Sequence, residues 1–159
     1  MLTLVIYDTK FGNTQKVAEA IGRGVGAAGS VRVMDTAEAA RPLAEHPDLM
    51  IIGGPTQRRG LSPALRSFID ALPPSIRGVP AASFDTRYRG ATLLMGSAAG
   101  EAVKRLRKAG GQVTAQPESF FIARGGSLEA PGLEAGELER AERWGRAVVA
   151  AALPGVSKA

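Results

Sequence analysis

Short apolar runs bounded by turn residues alternate along this chain with longer stretches whose apolar residues recur every three or four positions, and this alternation constrains the fold most. Runs at 2–7 (LTLVIY), 31–34 (VRVM), 49–52 (LMII) and 79–84 (VPAASF) read as buried strands. A fifth, broken strand is expected over 112–113 and 119–122. Val17, Ala20, Ile21 and Val25 form one helical stripe after Asn13-Thr14. Leu65, Phe68, Ile69 and Leu72 form a second after Ser62-Pro63, where Ser suits a helix cap and Pro a first turn. Ala102, Val103 and Leu106 form a third; Leu138, Ala141, Trp144, Val148 and Ala151 mark a last helix over about 136–152. Repeated strand–helix units with nearly continuous apolar strands predict an α/β, doubly wound three-layer sandwich around a parallel sheet. At 159 residues without internal repeat or linker, one domain is expected over 1–153, with 154–159 as a flexible tail.

The side-chain inventory excludes several chemistries. Cysteine is absent, so there is no disulfide framework, thiolate metal site or Cys redox centre, and electrons need an added cofactor. The one histidine, His46, precedes Pro47 and reads as a solvated loop residue, too little for a His-rich metal site. No apolar run approaches a membrane span and no signal peptide is evident, so a cytoplasmic location is expected. The net charge of +5 invites a nucleic-acid reading. The basic residues are scattered, however, apart from Lys104, Arg105, Arg107 and Lys108, whose spacing is that of a solvated helix face, and no nucleic-acid partner is expected.

The segment 8–14 (DTKFGNT) follows the first strand and opens the first helix, the position where anions bind. Gly12 permits close backbone approach, the free N–H groups of a helix start point outward, and Thr9, Asn13 and Thr14 add short polar groups. Neither the triphosphate-loop pattern nor the dinucleotide fingerprint is present, so a monophosphate fits better. The same residues also suit plain helix capping, and local sequence leaves both readings open. Two later segments follow strands at the same end of the sheet: 53–60 (GGPTQRRG) and 84–90 (FDTRYRG). No acid or base is singled out as catalytic.

These three segments, in this order, resemble the flavodoxin family. T-K-F-G-N-T is similar to the family's phosphate loop, and the match assigns Thr9, Lys10, Phe11, Gly12, Asn13 and Thr14 to the phosphate of flavin mononucleotide (FMN), with Phe11 where a hydroxyl is usual. G-G-P-T-Q resembles the loop that covers a face or edge of the flavin ring and brings in Pro55, Thr56, Gln57, Arg58, Arg59 and Gly60; Gln57 stands where many members have an aromatic, and Arg58 or Arg59 would cover the ring instead. The third loop is similar to the one that binds the pyrimidine side of the flavin. It supplies Asp85, for a ribityl hydroxyl or for Arg87, together with Thr86, Arg87 and Tyr88, the last as a stacking aromatic or a surface residue. The segments 117–122 (PESFFI) and 134–141 (EAGELERA) resemble the last strand and last helix of short flavodoxin-domain proteins.

The resemblance implies a five-stranded sheet of order 2-1-3-4-5, FMN bound where the strand order reverses, and electron transfer to a partner protein. The alternative is an FMN-dependent oxidoreductase, a quinone reductase or protoporphyrinogen-oxidase-like enzyme. A phosphoacceptor domain on the same fold needs an Asp where this chain has Ile52-Gly53-Gly54. Flavodoxins are mostly acidic around the flavin, whereas this chain has a pI near 10.1 and carries Arg58, Arg59, Arg87 and Arg89 in the flavin-edge loops. Positive charge there favours the anionic reduced flavin, so a weaker reductant is expected, with an acidic docking face on its partner.

Overall fold

The computed structural model describes residues 1–39, 46–90, 92–125 and 131–153; the tail expected at 154–159 lies outside them. Five parallel strands, β1 (Leu2–Tyr7), β2 (Ser30–Asp35), β3 (Leu49–Pro55), β4 (Pro80–Arg87) and β5 (Gln112–Val113), lie in the order β2-β1-β3-β4-β5. A sixth, β6 (Glu118–Phe121), also pairs with β4. β5 runs beside Pro80 and Ala81, and β6 beside Phe84 to Arg87 on the same edge, so the fifth strand is in two pieces as its broken apolar pattern predicts.

Side chains alternate across the sheet. Val5, Leu49, Ile51, Ala82 and Phe84 face α1 (Asn13–Gly26) and α6 (Glu137–Ala152). Leu4, Ile6, Met50, Ile52 and Ala81 face α3 (Pro63–Asp70) and α5 (Ala98–Ala109). The near-continuous apolar strands therefore feed two cores, one on each side. Two four-residue helices, α2 (Thr36–Ala39) and α4 (Thr92–Met95), and a 3₁₀ turn (Pro74–Ile76) carry too short a pattern to be read from sequence.

Local signals set the helix starts. Ser62 accepts from the Leu65 N–H at 3.2 Å ahead of Pro63, and Ser97 accepts from the Gly100 N–H at 3.1 Å at the head of α5. Capping by Asn13 or Thr14 does not occur: the cap position of α1 is Gly12, at φ 84°, and no side chain caps it. α1 and α6 approach closely because each offers a glycine to the other. A Cβ on Gly24 would strike the Glu142 carbonyl oxygen, and one on Gly145 would lie 2.6 Å from that of Ile21. This crossing corrects the expected stripe of α6, since Gly145 and Val149 are buried and Ala151 is exposed.

Two strands run further than their apolar patterns suggest. β3 includes Gly53, Gly54 and Pro55, and β4 includes Asp85, Thr86 and Arg87, all expected in loops. Gly53 lies beside Phe84, whose ring fills the space a Cβ would need. Phe84, Phe120 and Trp144 then meet edge-to-face, with centroids 6.2–6.3 Å apart. Polar residues continue β4 because it is paired on both sides, to Gly54 and Pro55 of β3 and to Ser119, Phe120 and Phe121 of β6.

Candidate functional site

The carboxyl ends of β1, β3 and β4 open onto one crevice of about 980 Å³. After β1, the Asp8 N–H donates to the Gly53 carbonyl at 3.1 Å and Thr9 Oγ1 accepts from the Gly12 N–H at 3.0 Å, which closes the turn into α1. The positive φ of Gly12 disfavours any residue with a Cβ there. The first paired amide of α1 is Lys16, bonded to the Gly12 carbonyl, so the N–H groups of Asn13, Thr14 and Gln15 carry no protein acceptor among the described residues. Three free donors and the positive end of the helix dipole thus face one point. The neighbouring side chains are already engaged: the Asn13 amide donates to the Pro131 carbonyl, and the buried Thr14 hydroxyl bonds that of Thr86 at 2.8 Å.

The second segment is a tight turn. Gln57 and Gly60 exchange backbone hydrogen bonds of 2.8 and 2.9 Å, and both residues between them, Arg58 (φ 45°) and Arg59 (φ 73°), have positive φ, as in the mirror-image hairpin turns. Asp85, fully buried, fixes the near end of this turn. Its Oδ2 accepts from Thr56 Oγ1 (3.1 Å), Ser97 Oγ (2.7 Å) and the Ala99 N–H (3.1 Å), while Thr56 Oγ1 accepts from the Ala98 N–H. One carboxylate therefore ties β4 to the 56–60 segment and to the head of α5.

Thr9, Lys10, Phe11, Asn13 and Thr14 line the crevice from the first segment, Pro55, Thr56, Gln57, Arg58 and Arg59 from the second, and Thr86, Arg87 and Tyr88 from the third. Gly12, Gly60 and Asp85 do not line it; they shape the turns behind it. Leu61, Pro63 and Arg66 join from around the start of α3, Leu94 and Met95 from α4, and Ile122 and Pro131 from beyond β6. Sequence reasoning missed these seven. Only Leu61, Pro63 and Arg66 carried any signal, by their place just after the second segment.

Among the described residues the lining holds Lys10, Arg58, Arg59, Arg66 and Arg87 and no carboxylate. Not all that charge is bare. Arg87 Nε donates to Ser119 Oγ at 3.0 Å and lies 3.8 Å from Asp85 Oδ1. Arg89, expected at the flavin edge, is not in the lining: it pairs with both oxygens of Glu134 at 3.0 and 2.9 Å and stacks over Phe121 at 4.1 Å. Arg58 is exposed and makes no ion pair among the described residues. Around the mouth stand the four large apolar side chains exposed among the described residues: Phe11 (51%), Tyr88 (40%), Leu94 (73%) and Met95 (40%).

The sequence model of the flavodoxin family matches residues 5–144. The chain belongs to the flavodoxin family. A flavodoxin from the domain Archaea superposes with a TM-score of 0.77 at 19% identity, over 96% of this chain and 99% of that one. Flavodoxin 1 from Bacillus cereus gives 0.73 at 19% identity, over 94% and 97%. The flavodiiron protein of Giardia intestinalis gives 0.74 at 17% identity over 99% of this chain, which spans 37% of that protein. No curated protein sequence matches the chain.

FMN is the cofactor of flavodoxins, and the residues present fit it. The three amides at the head of α1 that carry no acceptor among the described residues suit its phosphate, the crevice volume suits a ligand of this size, and a described lining of cations and polar groups suits its anionic end.

Proposed function

We propose that this flavodoxin-family chain binds FMN in the crevice and passes electrons between partner proteins. The observation that carries the reading is the set of Asn13, Thr14 and Gln15 amides, unpaired among the described residues, at the carboxyl end of β1, directly beside the segments that follow β3 and β4. Thr9 and Gly12 hold the turn in which these amides converge, and Lys10 adds charge next to it. Thr56, Gln57 and Thr86 offer polar groups along the crevice, Arg58 and Arg59 form its edge, and Tyr88 supplies an aromatic face. Bound FMN supplies one- and two-electron chemistry; the protein orients it and sets the surrounding charge.

Phe11, Tyr88, Leu94 and Met95 make an apolar ring at the mouth, with Lys10 and Arg58 among them. That surface fits a redox partner with an apolar docking centre and an acidic surround. An FMN-dependent oxidoreductase acting on a quinone or porphyrinogen is the second reading, favoured by Gln57 in place of a covering aromatic and by the exposure of Leu94 and Met95 beside the crevice. We place the protein in the cytoplasm on the ground of its flavodoxin-family membership.

Titration of the purified protein with FMN tests the reading. Quenched flavin fluorescence and a shifted visible spectrum are expected; fluorescence that stays at the level of free FMN with excess protein rejects it. Steady turnover of a quinone or a porphyrinogen by the FMN-loaded protein would favour the enzyme reading.

A further inference from the structure

Behind the crevice one carboxylate joins two elements of its wall. Glu101, in the first turn of α5, does not line the crevice, and its side chain is 25% exposed. Its Oε2 accepts from the Leu61 N–H at 2.8 Å and from Arg66 Nη2 at 3.3 Å, and its Oε1 accepts from Arg66 Nε at 3.0 Å and Arg105 Nε at 2.9 Å. Leu61 and Arg66 both line the crevice. Arg105 reaches onward to Asp70 at 2.6 and 2.7 Å, which closes the network on its outer side.

The segment held in this way needs holding. Two consecutive non-glycine residues at positive φ are disfavoured, so the Gln57–Gly60 turn persists only where its surroundings fix both ends. Asp85 fixes the near end through Thr56. The far end is Leu61, whose amide Glu101 accepts, and Gly60 lies so near Glu101 Oε2 that no Cβ fits between them.

We propose that Glu101 is a positioning residue for the flavin site: by bonding the Leu61 amide and the Arg66 guanidinium it fixes the Gln57–Leu61 edge of the crevice and thereby sets FMN affinity. This rests on the FMN reading above. A carboxylate is needed because an amide at this position offers one acceptor oxygen to three donor groups. Burial alone would raise the Glu101 pKa. Hydrogen bonds from Arg66, the Leu61 amide and Arg105 outweigh that and hold it at about 2, so the side chain stays charged in ordinary buffers.

The test is Glu101→Gln, with Glu101→Asp, which keeps the charge but withdraws it from Leu61, as the variant to use if the amide fails to fold. Asp70→Asn is the control, since it breaks only the outer pair of Arg105. FMN affinity by fluorescence titration is expected to fall about tenfold in Glu101→Gln, less in Glu101→Asp and not in Asp70→Asn. The midpoint potential of bound flavin is expected to move positive in Glu101→Gln, because Arg66 loses its counter-charge, and to stay in place in Asp70→Asn. Amide hydrogen exchange at residues 57–61, measured without flavin, is expected to quicken in Glu101→Gln and Glu101→Asp but not in Asp70→Asn. A folded Glu101→Gln protein with wild-type affinity and potential overturns the proposal. If the wild-type protein binds no FMN, the function reading fails, and unchanged exchange at 57–61 in Glu101→Gln then overturns the positioning role separately.

Discussion

Thr14 and Thr86 stand 72 positions apart in the chain, yet their buried hydroxyls share one hydrogen bond, so each occupies the other's bonding capacity. Thr86→Val leaves the Thr14 hydroxyl buried without a partner. Urea unfolding is expected to show a loss of about 1–2 kcal/mol. Charge adds a pH dependence. Burial alone would raise the pKa of Glu137, but hydrogen bonds from Arg140 and the Phe121 amide outweigh it and hold the carboxyl below its usual range, as happens at Glu101. Both groups titrate lower in the folded chain than in the unfolded one. Their stabilisation is therefore complete above the ordinary Glu pKa of roughly 4.3 and is lost as the pH falls towards about 2, the value held at Glu101. Thermal melts across that window are expected to show a falling Tm, with a shallower fall in Glu101→Gln.

Among the elements, the crossing of α1 and α6 depends on Gly24 and Gly145. In an exposed helix Gly→Ala gains about 1 kcal/mol, but here the new methyl meets a backbone carbonyl that cannot turn aside. Gly145→Ala is expected to cost about 1–2 kcal/mol net in urea unfolding. The start of α6 is tied to β6 through Arg140, which bonds Glu137 at 2.7 Å, Glu118 at 3.1 Å and the Ser119 carbonyl, and stacks over Phe120. The two C-terminal segments that resemble flavodoxin-domain proteins are thus one structural unit, linked by an arginine and two glutamates. The apolar parts of the strands, the Ser62-Pro63 start of α3 and the order of the three crevice segments were legible because each rests on periodicity or on a turn within a few residues. The polar extensions of β3 and β4 were not, because their pairing lies on other strands.

Across the whole molecule the two cores lie on opposite faces of one sheet, and Trp144 packs against only one of them. If both layers unfold together as one domain, Trp fluorescence and far-UV circular dichroism give coincident transitions; separated midpoints would show two units. The net charge of +5 and a crevice wall with, among the described residues, five cations and no carboxylate give the molecule a positive face at its proposed electron port. Stopped-flow reduction by an acidic donor protein is expected to slow as ionic strength rises; a rate indifferent to salt would argue against the acidic-partner reading.

The layers, the strand–helix alternation and the turn at Gly12 follow from the order of residues, because burial periodicity and local hydrogen bonding are set by near neighbours. That order also placed most of the crevice lining, since residues that follow parallel strands come to the same end of the sheet. Which polar groups remain available to a ligand depends on contacts between distant parts of the chain. Asp85, Thr14, Arg87 and Arg89 spend bonding capacity on Ser97, Thr86, Ser119 and Glu134, partners 12 to 72 positions away. Glu101 accepts from the Leu61 amide only because α5 meets the segment before α3, 40 positions earlier, and a buried donor takes whichever acceptor the packing brings to it.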